Sequence, residues 1–71
     1  MTPQDEDYLW THSERIWGVA LTFEGYKGEG MTFSLTFDPY EGHAYSVERR
    51  LAKEGISLVW EDPYTFTVSV V

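Results

Sequence analysis

Apolar and polar side chains alternate without a break in MTFSLTF, residues Met31–Phe37. A period of two is typical of a β-strand that turns one face to a hydrophobic core. The segment Ile16–Phe23 carries a similar alternation, and the intervening loop Gly25–Gly30 is rich in residues that tolerate positive φ. These patterns predict a β-hairpin with strands at Ile16–Phe23 and Met31–Phe37.

A second hairpin is predicted at the C-terminal side of the sequence. Apolar residues share one face of a short strand from Ile56 to about Glu61, and they alternate again from Tyr64 to Val70. Pro63 lies between the two segments, and its fixed φ suits the second position of a tight turn. The sequence therefore predicts two further strands joined by that turn.

A helix is predicted between the hairpins. Asp38 is expected to cap the helix, with Pro39 in the first turn and Glu41 completing a capping box. Gly55 is expected to end the helix. The helix stripe consists of Tyr40, Ala44, Val47 and Leu51.

The element order predicts one small α+β domain, β-β-α-β-β, with one helix on a four-stranded sheet. A single helix between the second and third strands returns the chain parallel to where it left, so we expect a mixed sheet; an antiparallel sheet is the alternative. The expected division is an acidic N-terminal segment at 1–14 and a ββαββ domain at 15–71. In the first of these, a short helix is predicted from about Pro3 to Trp10, with a flexible acidic arm as the alternative.

The predicted core contains the apolar residues on the inward strand faces and the helix stripe. These are Trp17, Val19, Leu21, Phe23, Phe33, Leu35, Phe37, Val47, Leu51, Leu58, Trp60, Phe66 and Val68. The opposite face of the sheet is predicted to be small and uncharged. Either the N-terminal segment covers it, with Ala20 and Val59 in the floor, or it is an intermolecular contact, or it is exposed to solvent.

Composition limits the function classes. The 71 residues include 12 Asp and Glu, 5 Lys and Arg and no Cys, which gives a formal charge of −7. Without cysteine there is no disulfide framework, thiolate metal site or Cys nucleophile. The negative charge argues against direct binding to nucleic acid or to an anionic membrane, and no segment is apolar enough to span a membrane. We expect a cytoplasmic protein.

Catalytic and metal-binding signals are weak. His12 and His43 are far apart in the sequence and have no metal-ligand spacing, and no serine lies in a nucleophile motif. The string Gly25–Gly28 joins two strands, whereas a phosphate-binding loop leads into a helix. We therefore predict no enzyme activity, no cofactor and no metal.

Acidic residues lie beside aromatic residues in three places, and this pattern predicts a protein-binding surface. Carboxylates steer association with a basic partner, and aromatic side chains supply contact area. Ordinary solubilising charge is the alternative interpretation. The predicted binding residues are Asp5, Glu6, Asp7, Tyr8, Trp10, Tyr40, Glu41, Glu61, Asp62 and Tyr64.

The resulting hypothesis is a stoichiometric binding module for a protein partner with a basic surface. Nucleic-acid-binding proteins are the expected partner class because they expose basic grooves. Small acidic domains are common among phage-encoded inhibitors, including nucleic-acid mimics and anti-defence proteins, but this is an analogy of size and charge only. The alternative is a structural role as a homodimer or subunit that assembles through the uncharged sheet face or an edge strand.

Overall fold

The computed structural model describes residues 1–71 and has two helices and four strands. The helices are α1, Pro3–Trp17, and α2, Glu41–Lys53. The strands are β1, Thr22–Lys27; β2, Gly30–Ser34; β3, Ile56–Asp62; and β4, Thr65–Val70. Together they form a compact α+β domain.

The sheet is entirely antiparallel, with the spatial order β1-β2-β4-β3. The expectation of a mixed sheet is therefore wrong. The α2 connection does return β3 parallel to β2, but the tight turn after Asp62 folds β4 back between them. Because β4 opposes both neighbours, no parallel pair forms.

Helix α1 is longer than predicted, and the strand predicted from Ile16 is wrong in its first part. Thr2 and Asp5 form a reciprocal capping box that begins the helix, and Gly18 ends it in the left-handed region at φ 75°. Leu9, Ile16 and Trp17 are buried along one side of this helix, so α1 crosses the predicted boundary between residues 14 and 15 and shares the core of the sheet. The first strand begins only at Thr22.

A hairpin forms as predicted, but the loop predicted at Gly25–Gly30 is wrong, because β1 continues to Lys27 and β2 begins at Gly30. Phe23 opposes Phe33, and a β-bulge follows between Phe23 and Gly25. Strand β2 ends at Ser34 because its other neighbour, β4, begins at the opposing Thr65. Phe37 therefore lies beyond the sheet.

Most of the predicted core residues are buried, but two of them are exposed. Val19 and Phe37 are exposed, because Val19 follows the end of α1 and Phe37 follows the end of β2. Phe23 and Trp60 are only partly buried against the core. The buried core residues missing from the prediction are Leu9, Ile16, Met31 and Ile56.

Both helices cover the same face of the sheet. Trp17 of α1 contacts Phe66 and Trp60, while α2 packs chiefly on β3. The predicted covering of the opposite face by the N-terminal segment is therefore wrong, because α1 uses its apolar stripe on the core side.

The opposite face of the sheet carries polar contacts. Thr32 and Thr67 are joined by their hydroxyls at 2.8 Å. Lys27 of β1 forms an ion pair with Glu61 of β3, although these strands are the two edges of the sheet. Adjacent strands lie about 4.8 Å apart, so this pair relies on two long side chains that reach across the face.

Neither helix has the length and apolar composition needed to cross a membrane.

Candidate functional site

The five predicted binding residues on α1 have mainly structural contacts. The Thr2 hydroxyl accepts from the Asp5 amide at 3.1 Å, and the Thr2 amide faces the Asp5 carboxylate, which completes the helix cap. Glu6 accepts a hydrogen bond from the Tyr26 hydroxyl of β1. This bond to a carboxylate raises the pKa of Tyr26 above its ordinary value, since the bond needs the phenol proton.

The two aromatic residues of α1 hold the helix on the domain. The Tyr8 hydroxyl donates to the Glu54 carbonyl at 2.6 Å, and so ties α1 to the end of α2. The Trp10 ring lies 5.3 Å from Phe23 and 5.3 Å from Phe33, measured between ring centroids. Of the predicted α1 set, the exposed Asp7 and Trp10 make no ion pair or side-chain hydrogen bond, and Trp10 has only ring contacts.

Glu61 also forms an ion pair within the chain, since its carboxylate binds the Lys27 ammonium. Glu54, which was not predicted, has a comparable role. It accepts from the Arg15 guanidinium at 2.6 and 2.8 Å and lies 3.0 Å from the His12 ring. These acidic residues bind cations that belong to the chain and are less available to a partner.

The remaining predicted residues lie where α2 begins and where β3 turns into β4. Tyr40 is 75% exposed and Tyr64 is 50% exposed. Glu41 is exposed in the first turn of α2, and the Asp62 side chain accepts from the Tyr64 amide at 3.0 Å, which fixes the turn. Tyr40, Glu41 and Tyr64 are therefore free to contact a partner.

Asp38 does not cap α2, and that prediction is wrong. The cap position is occupied by Tyr40, whose side chain makes no capping hydrogen bond. The helix begins at Glu41, two residues later than predicted, so Asp38 lies before the cap position and outside the helix. Its exposed carboxylate makes no ion pair or hydrogen bond.

Asp38 instead lines a shallow groove together with two aromatic residues. The groove has a volume of about 240 Å³ and its walls include Phe37 and Tyr64. The backbone bond from the Leu35 amide to the Tyr64 carbonyl, 2.8 Å long, holds the two sides together. A groove lined by a carboxylate and aromatic residues is suited to a cationic side chain.

Ring contacts connect this groove to the start of α2. The centroid of Trp17 lies 6.4 Å from that of Phe37 and 5.2 Å from that of His43. The Tyr40 ring in turn lies 5.8 Å from His43. We call the surface formed by Phe37, Asp38, Tyr40, Glu41, Asp62 and Tyr64 the aromatic end.

Sequence reasoning missed Phe37 and Asp38 because both had been given structural roles. The alternation placed Phe37 in the core, and the Asp-Pro pair placed Asp38 at the helix cap. A residue before proline avoids helical geometry, but so does an N-cap residue, so Pro39 could not distinguish a capping Asp38 from one that lies outside the helix.

The basic residues of α2 form a separate patch. Arg49, Arg50 and Lys53 line a second shallow groove with Tyr45 and Ser46, and none of the three is in an ion pair. The Arg49 guanidinium lies 5.7 Å from the centre of the Tyr45 ring. This helix face points away from the core residues Val47 and Leu51.

No family model, curated protein or solved structure matches the chain.

Proposed function

We propose that the protein is a non-enzymatic binding module that receives a basic segment of a partner protein at the aromatic end. The supporting observation is the groove lined by Asp38, Phe37 and Tyr64, in which the Asp38 carboxylate makes no ion pair or hydrogen bond within the chain. An Arg or Lys side chain there would gain a charge-assisted hydrogen bond and aromatic contact together. Tyr40 and Glu41 extend the same surface toward α2.

The partner class in this proposal is a nucleic-acid-processing protein in the cytoplasm. Such proteins expose Arg and Lys side chains for phosphate contacts, and these side chains match the groove. The net charge of −7 would speed the encounter with a basic surface. By occupying residues that contact phosphate, the module would act as an inhibitor, in the manner of a nucleic-acid mimic.

In this proposal, the aromatic end and the carboxylates of α1 contribute to binding in different ways. The aromatic end would make the short-range contacts that govern dissociation. The α1 carboxylates, which are held in a helix cap and in the bond from Tyr26, would act mainly through long-range attraction. Such attraction changes association rates and weakens as salt is added.

A short arginine-rich peptide is a direct probe of the groove. We expect it to shift the amide resonances of Leu35–Asp38 and Tyr64, and an otherwise identical peptide with citrulline in place of arginine to bind at least several-fold more weakly. Asp38→Asn and Tyr64→Ala should each weaken the arginine peptide several-fold. Asp7→Asn and Tyr45→Ala are matched controls, since both residues are exposed but lie elsewhere.

Equal loss of peptide binding in Asp7→Asn and Asp38→Asn would contradict the proposal, because it would show attraction by net charge alone. Binding that is unaffected by Tyr64→Ala would contradict the aromatic contact. The same four variants can then be compared in affinity capture from a cell extract, where the partner should be retained by both controls and lost from both groove variants.

A further inference from the structure

Strand β3 is an edge of the sheet, and its outward hydrogen-bonding groups can be assigned from the ladder. The Val71 amide donates to the Gly55 carbonyl at 2.9 Å, and this register continues as Ser57 opposite Ser69 and Val59 opposite Thr67. Antiparallel ladders alternate hydrogen-bonded and non-hydrogen-bonded pairs. The amides and carbonyls of Ile56, Leu58 and Trp60 therefore point away from β4, toward the free edge.

The two edges of the sheet differ in their protection. Strand β1 is interrupted by the bulge between Phe23 and Gly25, and it carries the charged side chains of Glu24 and Lys27. Strand β3 has no charge, proline or glycine from Ile56 to Trp60. Proteins commonly use bulges and charges to prevent edge pairing, so β1 is protected along its length and β3 is open up to its bulge after Trp60.

We propose that β3 pairs with β3 of a second copy, in antiparallel orientation about a two-fold axis at Leu58. Leu58 would then exchange two hydrogen bonds with its own equivalent, and Ile56 would oppose Trp60 at both ends. Such a ladder has about six hydrogen bonds and joins the two sheets into one continuous sheet. The proposal does not depend on the aromatic end.

The surroundings of β3 favour a second copy of this chain as the occupant. On the open face of the sheet, the two-fold axis would place Val59, which is 61% exposed, opposite Ser57 of the other copy without bringing in a charge. On the other face, α2 packs over β3. The strand is thus complementary to itself in register, size and charge.

The association is expected to be weak and strengthened by salt. An interface made of one short strand and a helix flank lies at the small end of specific interfaces. Each copy carries a formal charge of −7, so long-range repulsion opposes the contact, and added salt screens it. Added salt should therefore strengthen dimerisation, whereas it should weaken the binding of a basic partner.

Sedimentation of the full chain from about 10 µM to about 1 mM tests the proposal. We expect a concentration-dependent dimer that dissociates at lower salt. Val59→Lys should abolish it, because it brings two lysines into diagonal positions across the paired edge, whereas Val19→Lys adds the same charge on an exposed loop and should dimerise like the wild type. A wild type that remains monomeric throughout, or a Val59→Lys variant that dimerises equally, would overturn the proposal.

Hydrogen exchange of the wild type provides a test that needs no variant. The amides of Ile56, Leu58 and Trp60 should become protected as concentration rises, while those of Ser57 and Val59 should be protected at every concentration because they bond to β4. Concentration-dependent protection confined to β1, or the absence of any such change in β3, would contradict pairing through β3.

Discussion

At the residue scale, the hydrogen bond from Tyr26 to Glu6 connects β1 to α1 and has a defined pH dependence. The pKa of Tyr26 is raised above 10.0, its ordinary value, mainly because the bond to Glu6 requires the phenol proton. The stability from this bond is therefore fully present below pH 10, and is lost as pH rises through the higher pKa of the folded state.

We predict that Tyr26 ionises above pH 10 when absorbance of the phenolate is followed with pH. In Tyr26→Phe this late ionisation should disappear. The stability difference between wild type and Tyr26→Phe should narrow above pH 10. A titration in which Tyr26→Phe removes an ordinary or early ionisation would show that the bond to Glu6 does not form in solution.

Ser13 provides a second test at this scale, because its hydroxyl is buried in α1 without a hydrogen-bond partner. An unpaired buried hydroxyl costs about 1–3 kcal/mol, and alanine is also the better helix former. We predict that Ser13→Ala raises the unfolding free energy by about 1 kcal/mol or more, measured by urea unfolding. Ser46→Ala, on the exposed side of α2, should raise the unfolding free energy by a smaller amount, because only the helix propensity improves. A loss of stability in Ser13→Ala would mean that the hydroxyl is bonded.

At the scale of elements, the success of sequence prediction depended on whether a residue fitted one pattern or two. Strands β2 and β4 have a strict alternation that no helix can reproduce, and the hairpin partner of each strand was predicted correctly. Trp17 fits both the alternation that runs on to Phe23 and the helical spacing from Leu9. The polar Ser13 interrupts the apolar stripe of α1, so the helical spacing is a weaker pattern here than the alternation.

The strand order could not be predicted, since it depends on which edge of the first hairpin β4 joins. Two features favour the observed order. The bulge and charged side chains of β1 disfavour pairing between β1 and β4. Strand β2 is uninterrupted, so β4 can pair with it along its other edge. Of the aromatic end, Tyr40, Glu41, Asp62 and Tyr64 were predicted as binding residues, whereas Phe37 and Asp38 were not. Its residues lie at the ends of three elements, where the position of the element boundary decides whether a side chain is exposed.

The contact between β2 and β4 is close enough at Gly30 to be tested. A Cβ atom added there would lie 2.7 Å from the Thr67 methyl and 2.9 Å from the Val68 carbonyl oxygen. We predict that Gly30→Ala destabilises the domain by about 1–3 kcal/mol in urea unfolding. Adding Thr67→Ser should restore part of this loss, because it removes the methyl and keeps the hydroxyl.

Gly42→Ala is the matched control for this prediction. Its Cβ would lie 3.3 Å from the ring of Tyr40, which is exposed and can move aside. A gain of about 0.5–1 kcal/mol is expected from the helix position. If Gly30→Ala proved as stable as Gly42→Ala, the close approach of β2 and β4 would be incorrect.

At the scale of the whole molecule, α1 and the sheet are expected to unfold as one unit. Leu9, Phe33 and Phe66 belong to the same buried cluster, so α1 cannot detach without exposing the centre of the sheet. We predict that the amides of Leu9 and Ser13 exchange hydrogen with the same opening free energy as those of Phe33 and Phe66. Much faster exchange in α1 would instead support a separate N-terminal segment.

The same cluster predicts the effect of truncating one of its large, fully buried members. Phe33 is fully buried and contacts Trp10, Phe23 and Phe66. Phe33→Ala should cost about 3–5 kcal/mol, which is a large part of the stability of a domain this small. Circular dichroism of Phe33→Ala should therefore show substantial unfolding at moderate temperature, whereas Tyr40→Ala, which removes a side chain that is 75% exposed, should melt like the wild type.

The position of β4 also bears on how the protein is made. Although β4 follows the other elements in the sequence, it separates β2 from β3 in the sheet. A nascent chain emerging from the ribosome can form the first hairpin, but β3 has no neighbour to join until β4 has been synthesised. At about 5–20 residues per second, the wait between Ser34 and Val70 is on the order of a few seconds. During that interval the apolar face of β2 is available to chaperones, and the sheet is completed only when β4 inserts.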